Sequence, residues 1–300
     1  MEKVVLGRTG LEVTKLGFGA LEMRDVVENG GRLPSEEHAG VVLNAVLDAG
    51  INFIDTAPGY GRSEEFIGRF ISQRRGEYYL ATKCGRPQTG VPHAESEWSR
   101  KDILRTIDES LARLNTDHVD LLQLHGPHVG DIEMHDCIGT LEEVRASGKA
   151  RFIGVSATLP DIATFIDWGV FDAFQIVYSA LEPEHEEAIA AADAAGAGTI
   201  IRGGSVKGAP LREQGRGGEF PTVRLRWVES GLADVLEGMD LVSTMFRYAL
   251  AHPSAHTFIN GTKDLDHLKA NIAAAEAGPL DADLHALIRE RVTAAVAKES

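Results

Sequence analysis

Asp55, Tyr60, Lys83 and His125 are the side chains of this 300-residue chain whose types add up to a reaction. Reducing a carbonyl requires a proton for the oxygen as electrons reach the carbon. An unaided tyrosine hydroxyl is a poor acid, with an ordinary pKa near ~10. A lysine ammonium beside it stabilises the phenolate and eases release of the proton. An aspartate holds such an ammonium in place through a charge-assisted hydrogen bond. A histidine N–H orients the carbonyl oxygen. Each residue taken singly has an ordinary reading: the Asp as a turn cap, the Tyr at a core edge, the Lys solvated, the His closing a buried strand. Their places at consecutive strand ends set them apart.

The elements that must position them alternate along the chain. A hairpin is expected from Val4–Leu6 and Leu11–Thr14, turning at Gly7 to Gly10. Strands are expected at Lys15–Gly19, Asn52–Ile54, Tyr78–Lys83, Val119–Leu124, Phe152–Val155, Ala173–Val177, Thr199–Arg202 and Thr257–Asn260. Helices are expected at Glu36–Asp48 with Ser35 as cap, Ser63–Ser72, Ser99–Leu114, His135–Ala146, Pro160–Trp168, Glu184–Ala195, Met239–Ala251 and Leu265–Ala275. The spacing of Ile103, Ile107, Leu111 and Leu114 gives the third of these one apolar face. A further helix, Leu280–Ala297, closes the chain. Eight strands alternating with eight helices predict an α/β fold, a single (β/α)₈ barrel over residues 1–300 with an N-terminal β-hairpin and an extra C-terminal helix. Such barrels carry their chemistry at the carboxyl ends of the strands, where the four residues fall. The Gly-rich and charged stretch Gly203–Arg226 reads as one long loop.

Composition narrows the partners. A formal net charge of −15 opposes general binding to nucleic acid or anionic lipid. Cys84 and Cys137 are the only cysteines, which offers no disulfide framework. No leading apolar stretch and no long apolar run are visible, so a cytoplasmic, non-membrane protein is expected. His125, His128 and His135 lie near Asp131, Glu133 and Asp136, but the spacing is not that of a helical zinc motif and no metal is expected. Met23 and Trp98 are candidates for the substrate pocket, with the loop Pro87–Trp98 and the segment Gly126–Ile132 around them. Neither the physiological substrate nor the oligomeric state can be read here.

The strings around the four residues resemble those of the aldo-keto reductase family. They are Gly50-Ile-Asn-Phe-Ile-Asp-Thr-Ala-Pro-Gly-Tyr-Gly-Arg-Ser-Glu64, Ala81-Thr-Lys-Cys84, the run from Leu111 to His125, and Gly148-Lys-Ala-Arg-Phe-Ile-Gly-Val-Ser156. The resemblance runs from Leu6 to about Pro279. It implies an oxidoreductase reducing an aldehyde or ketone by hydride transfer, with Tyr60 as general acid and Asp55, Lys83 and His125 completing a catalytic tetrad. It implies a nicotinamide cofactor, NADP(H) favoured and NAD(H) admitted. It assigns Gly19 to the cofactor site, and Ser156 and Gln175 to the carboxamide, although the residue after Ser156 is Ala157 where relatives carry Asn. Arg202 would stack on the nicotinamide, and Gly203, Gly204 and Ser205 would approach the pyrophosphate. Gly261, Thr262, Lys263, His267 and Asn271 would hold the adenosine end, His267 standing where many relatives place Arg. A sugar or alcohol dehydrogenase is the alternative, because the chemistry is reversible.

Overall fold

The computed structural model describes residues 1–24, 35–86, 97–206 and 220–299. Its first element is a hairpin of β1 (Lys3–Val5) and β2 (Glu12–Thr14), joined through a tight turn that ends at Gly10 in the left-handed region. Eight parallel strands follow: β3 (Leu16–Gly19), β4 (Phe53–Asp55), β5 (Tyr79–Cys84), β6 (Val119–His125), β7 (Ala150–Ser156), β8 (Ala173–Val177), β9 (Gly198–Arg202) and β10 (Thr257–Asn260). They close into a barrel in chain order, with β10 returning to pair with β3. The expected barrel, hairpin and C-terminal helix are all present.

Period-two alternation divides each strand between barrel interior and helix layer. Phe53, Ala81, Leu121, Ala173 and Ile200 form an inner apolar cluster, joined from the amino-terminal end by Leu6, Leu11 and Val13 of the hairpin. The hairpin is therefore the floor of the barrel. A Cβ on Gly7 would collide with the backbone of Ala197 and Gly198, so the floor fits only with glycine there. Two residues beyond each of those inner apolar positions stand Asp55, Lys83, Gln123, Gln175 and Arg202. A polar layer thus lies directly above an apolar one.

The outer layer is α1 (Glu36–Asp48), α2 (Ser63–Phe70), α3 (Arg100–Leu114), α4 (Val129–His135), α5 (Cys137–Ala146), α6 (Asp161–Trp168), α7 (Glu186–Ala194), α8 (Pro221–Ser230), α9 (Leu232–Val235), α10 (Leu241–Leu250), α11 (Leu265–Ala277) and α12 (Ala282–Val296). Ser35 caps α1 by accepting from the His38 N–H, as its position predicts. Two expectations are corrected. The segment after β6 is not all loop: it forms α4, and the next helix starts at Cys137 because Asp136 sits at φ 46° and caps it. The stretch Gly203–Arg226 is not one loop either, since α8 begins at Pro221, a residue preset for the first helical turn. Residues 207–219 of that stretch, and residues 87–96 of the expected substrate loop, lie outside the described residues.

Candidate active site

Strand register assembles the polar layer. Asp55 pairs with Ala81 across β4 and β5, and Lys83 pairs with Gln123 across β5 and β6. Lys83 is fully buried, which is tolerable for an ammonium only if its protons are matched. One goes to Asp55 Oδ1 at 2.6 Å and one to the Thr56 carbonyl at 2.9 Å. Its Nζ lies 4.9 Å from the centre of the Tyr60 ring. Burial pulls the ammonium's pKa down. The charge of Asp55 and the nearby Tyr60 oxygen more than offset this, so the group titrates above an ordinary lysine. The other Asp55 oxygen accepts from Gln123 Nε2 at 3.0 Å and Gln175 Nε2 at 2.8 Å. Both oxygens of the carboxylate are engaged, which holds it against Lys83.

Tyr60 stands in the loop behind β4, half-buried, in a turn closed by its N–H to the Ala57 carbonyl and by the Ser63 N–H to its own carbonyl. That loop is tied down by Thr56 Oγ1 to Ser63 Oγ at 2.9 Å, with Ser63 donating to the Ala20 carbonyl. The His125 ring meets the Tyr60 ring edge-on, with centroids 5.9 Å apart. Burial, then the charges of Lys83, Arg86 and Arg202, hold the His125 pKa well below its ordinary value. The imidazole is therefore neutral at physiological pH and carries a single N–H. The structure brings all four residues together: a held ammonium, a phenol over it and a neutral imidazole at its edge.

The remaining candidates divide by position. Ser156 donates to Gln175 Oε1 at 3.0 Å, so the two are one unit with Asp55. Arg202 is half-buried at the end of β9, and among the described residues its guanidinium has no hydrogen bond or ion pair. Gly203, Gly204 and Ser205 form a turn closed by the Val206 N–H to the Gly203 carbonyl at 2.8 Å. A Cβ on Gly261 would collide with the Gly19 carbonyl, so close strand packing already accounts for glycine at 261. The Lys263 carbonyl is 2.6 Å from His38 Nε2, which pins that loop to α1. Thr262 is buried and its hydroxyl accepts from the Asp264 N–H at 3.0 Å. His267 is exposed and Asn271 half-buried on α11. The first N–H groups of α11 are not open donors: the Asp264 carboxylate accepts those of Asp266 and His267. Met23 and Trp98, expected at the substrate pocket, are both buried in the hydrophobic core, and the Trp98 ring lies over Gly85.

Sequence reasoning did not single out Gln123, Thr56, Asn260 or Arg86. Gln123 had a visible signal, a polar residue at an inward position in an otherwise apolar strand. Asn260 Nδ2, at the end of β10, is buried with no hydrogen-bond partner among the described residues, and so is Gln123 Oε1. These unmet polar atoms at the carboxyl end, with the planar Arg202 guanidinium, suit the amide and phosphate groups of a nicotinamide nucleotide. Among the described residues, no group of three His, Cys, Asp or Glu side chains is arranged to hold a metal ion. Nor is any described helix long and apolar enough to cross a membrane.

Comparison with known proteins agrees with this geometry. The sequence model of the Aldo/keto reductase family matches residues 15–292. An uncharacterised oxidoreductase of Bacillus subtilis, YqkF, is 26% identical over 292 residues, covering 92% of each chain. L-galactose dehydrogenase of Arabidopsis thaliana is 35% identical over 173 residues, 55% of this chain and 51% of that protein. The holo form of aldo-keto reductase AKR11C1 from Bacillus halodurans superposes with a TM-score of 0.82 at 30% identity, over 97% of this chain and 96% of that one.

Proposed function

The chain belongs to the aldo/keto reductase family, and from that premise we propose that it reduces an aldehyde or ketone to an alcohol with NADP(H), with Tyr60 as the proton donor. The observation that carries the reading is the fully buried Lys83, bound to Asp55 at 2.6 Å and facing the Tyr60 ring at 4.9 Å. A fully buried ammonium is costly, and one poised under a phenol has a task that packing does not explain.

The proposed division of labour follows from the contacts. When bound, the reduced nicotinamide supplies a hydride to the carbonyl carbon. The neutral His125 donates its N–H to the carbonyl oxygen and sets its orientation. Tyr60 passes its hydroxyl proton to that oxygen as negative charge builds on it. Lys83 stabilises the phenolate left behind, while Asp55, held by Gln123 and Gln175, fixes Lys83. Oxidation of an alcohol runs through the same groups in reverse, with Tyr60 as the base. Gln175 and Ser156 are proposed at the carboxamide, Arg202 against the nicotinamide, Gly203–Ser205 at the pyrophosphate, and Asn260 to Lys263 with Asn271 at the adenosine end.

A second reading is a sugar dehydrogenase running in the oxidative direction, favoured by the similarity to L-galactose dehydrogenase. One experiment separates the two: steady-state kinetics in both directions, with panels of aldehydes, ketones, alcohols and aldoses and each cofactor, followed by nicotinamide absorbance. The proposal expects the highest kcat/KM for carbonyl reduction with NADPH. A higher kcat/KM for aldose oxidation would select the second reading, and no turnover with any pair would refute both.

A further inference from the structure

We propose that the substrate carries a carboxylate remote from its carbonyl, and that Arg86 binds it at the mouth of the site. The inference rests on the carbonyl-reducing reading of that site and names its substrate class.

Arg86 lies two residues beyond β5. Gly85, at φ 90° and covered by the Trp98 ring, turns the chain there. The Arg86 head crosses to the end of β6: its Nη2 lies 2.5 Å, and its Cζ 3.3 Å, from where a Cβ on Gly126 would stand. Gly126 directly follows His125, and its N–H is fixed by the Ser156 carbonyl at 2.7 Å. Absence of a side chain at 126 is what lets a guanidinium lie beside the catalytic histidine.

Among the described residues, neither the Arg86 nor the Arg202 guanidinium has a hydrogen bond or ion pair, whereas Arg62, Arg75, Arg113 and Arg226 all grip carboxylates. Exposed Arg224 and Arg291 on the outer helices are unpaired among the described residues too, but Arg86 and Arg202 differ from them in lying close enough to His125 for both charges to act on it. Arg202 and Arg86 repel each other, and both repel charge on His125. Among the described residues, the acids that act on Arg202 are engaged: Asp55 with Lys83 and two glutamines, and Glu182 with the Ser179 hydroxyl at 3.2 Å. A planar anion completes this arrangement, and a guanidinium fork matches a carboxylate in shape.

The cofactor is not the missing anion. Its proposed phosphate and adenosine contacts follow β9 and β10. In the barrel order, β5 is four strands from β9, across the opening. Arg86 therefore stands on the substrate's side.

The test compares 3- and 4-carboxybenzaldehyde with their methyl esters, which carry an aldehyde of similar reactivity without the charge. Wild type is expected to favour at least one acid over its ester by about tenfold or more in kcat/KM. Arg86→Gln should cut that ratio by at least about fivefold through KM, and Arg86→Lys should restore part of it. Calorimetric titration of the same compounds into the protein with NADP⁺ reads binding apart from turnover. Tighter binding of an acid that Arg86→Gln abolishes, with no reduction of any aldehyde, would leave the anion site standing and sink the reductase reading. Equal kcat/KM for acids and esters in wild type, or an acid preference that survives in Arg86→Gln, overturns the proposal.

Discussion

Asp55 accepts one donor on Oδ1 and two on Oδ2, and among the described residues Lys83 ion-pairs with Asp55 alone, so the effects of substitution at this site are unequal. Tyr60→Phe removes the transferable proton and leaves the ring in contact with His125. Turnover should fall by about 10²–10⁴-fold with cofactor affinity nearly intact, as measured by kcat and by fluorescence titration of NADPH. Retention of more than about a tenth of the wild-type rate would remove Tyr60 from the acid role. Lys83→Met should be comparably inactive and should also alter the pH profile. Lys83 titrates above an ordinary lysine, so its charge is present across the working range in wild type. Without it, the ionisation that governs the rate at alkaline pH should move or vanish. An unchanged profile at near-normal rate would place Lys83 outside the site. His125 points the other way: held neutral by burial and by three cations, it should add no ionisation to kcat/KM between about pH 6 and 8, where an ordinary histidine would.

At the scale of elements, strand ends and helix starts decide what the residues can reach. The loop from Gly261 to Asp264 is pinned by His38 to the Lys263 carbonyl and by the Thr262 hydroxyl, and it ends in the α11 cap. If Lys263 reads a 2′-phosphate, Lys263→Ala should weaken NADPH about five- to tenfold and leave NADH nearly level. Equal weakening of both would deny it that role. Asp264 acts against the same phosphate, since its carboxylate occupies the first N–H groups of α11. Asp264→Ser keeps a capping oxygen and drops the charge, so the NADPH-to-NADH preference should rise while stability holds. A ratio that stays level would place the phosphate away from this helix. The strands were legible as short apolar runs, because a parallel barrel covers both of their faces, and most helices through their 3.6-residue pattern. Strand alternation also showed Cys84 pointing away from Lys83, and it is buried with its thiol on the Gln123 carbonyl. What the sequence hid had a physical cause in each case. The start of α4 is built by capping contacts of His128 and Asp131, not by an apolar stripe. The α11 donors are closed by the side chain of Asp264, a contact that residue type alone does not fix. Arg86 reaches Gly126 by a contact between neighbouring strand ends that no local spacing encodes.

The whole molecule is a closed cylinder with an apolar floor, a polar upper layer and a shell of helices, and besides His125 in the active site four buried or half-buried histidines lie outside the polar layer. His252 meets the Tyr178 ring edge-on at 5.3 Å, and His285 stacks on Tyr248 at 4.3 Å. His256 and His185 are mostly buried at strand and helix junctions. Burial lowers the pKa of all four in the folded protein. Each therefore binds a proton more readily in the unfolded chain than in the folded one. Stability from this source is fully present above the unfolded value, near pH ~6.5, and is lost as the pH falls from there toward each folded value. His128 opposes the trend, because Asp161 raises its pKa, but it is one exposed group against these four and His125, whose pKa burial also lowers. The exposed carboxylates that arginines or helix starts hold low, such as Glu36, Glu299 and Asp264, act in the same direction as the four but at more acid pH. Loss of net negative charge on acidification relieves self-repulsion only slightly above pH ~5, because few carboxylates titrate there. Urea midpoints should therefore fall between about pH 7.5 and about pH 5.5, with a slope bounded by about 1.4 kcal/mol per pH unit for each proton taken up on unfolding. His285→Gln should flatten that slope, since it removes one of the four without removing the Tyr248 ring it covers. A midpoint that is level or rising over this range would show that these imidazoles do not differ in proton affinity between the two states.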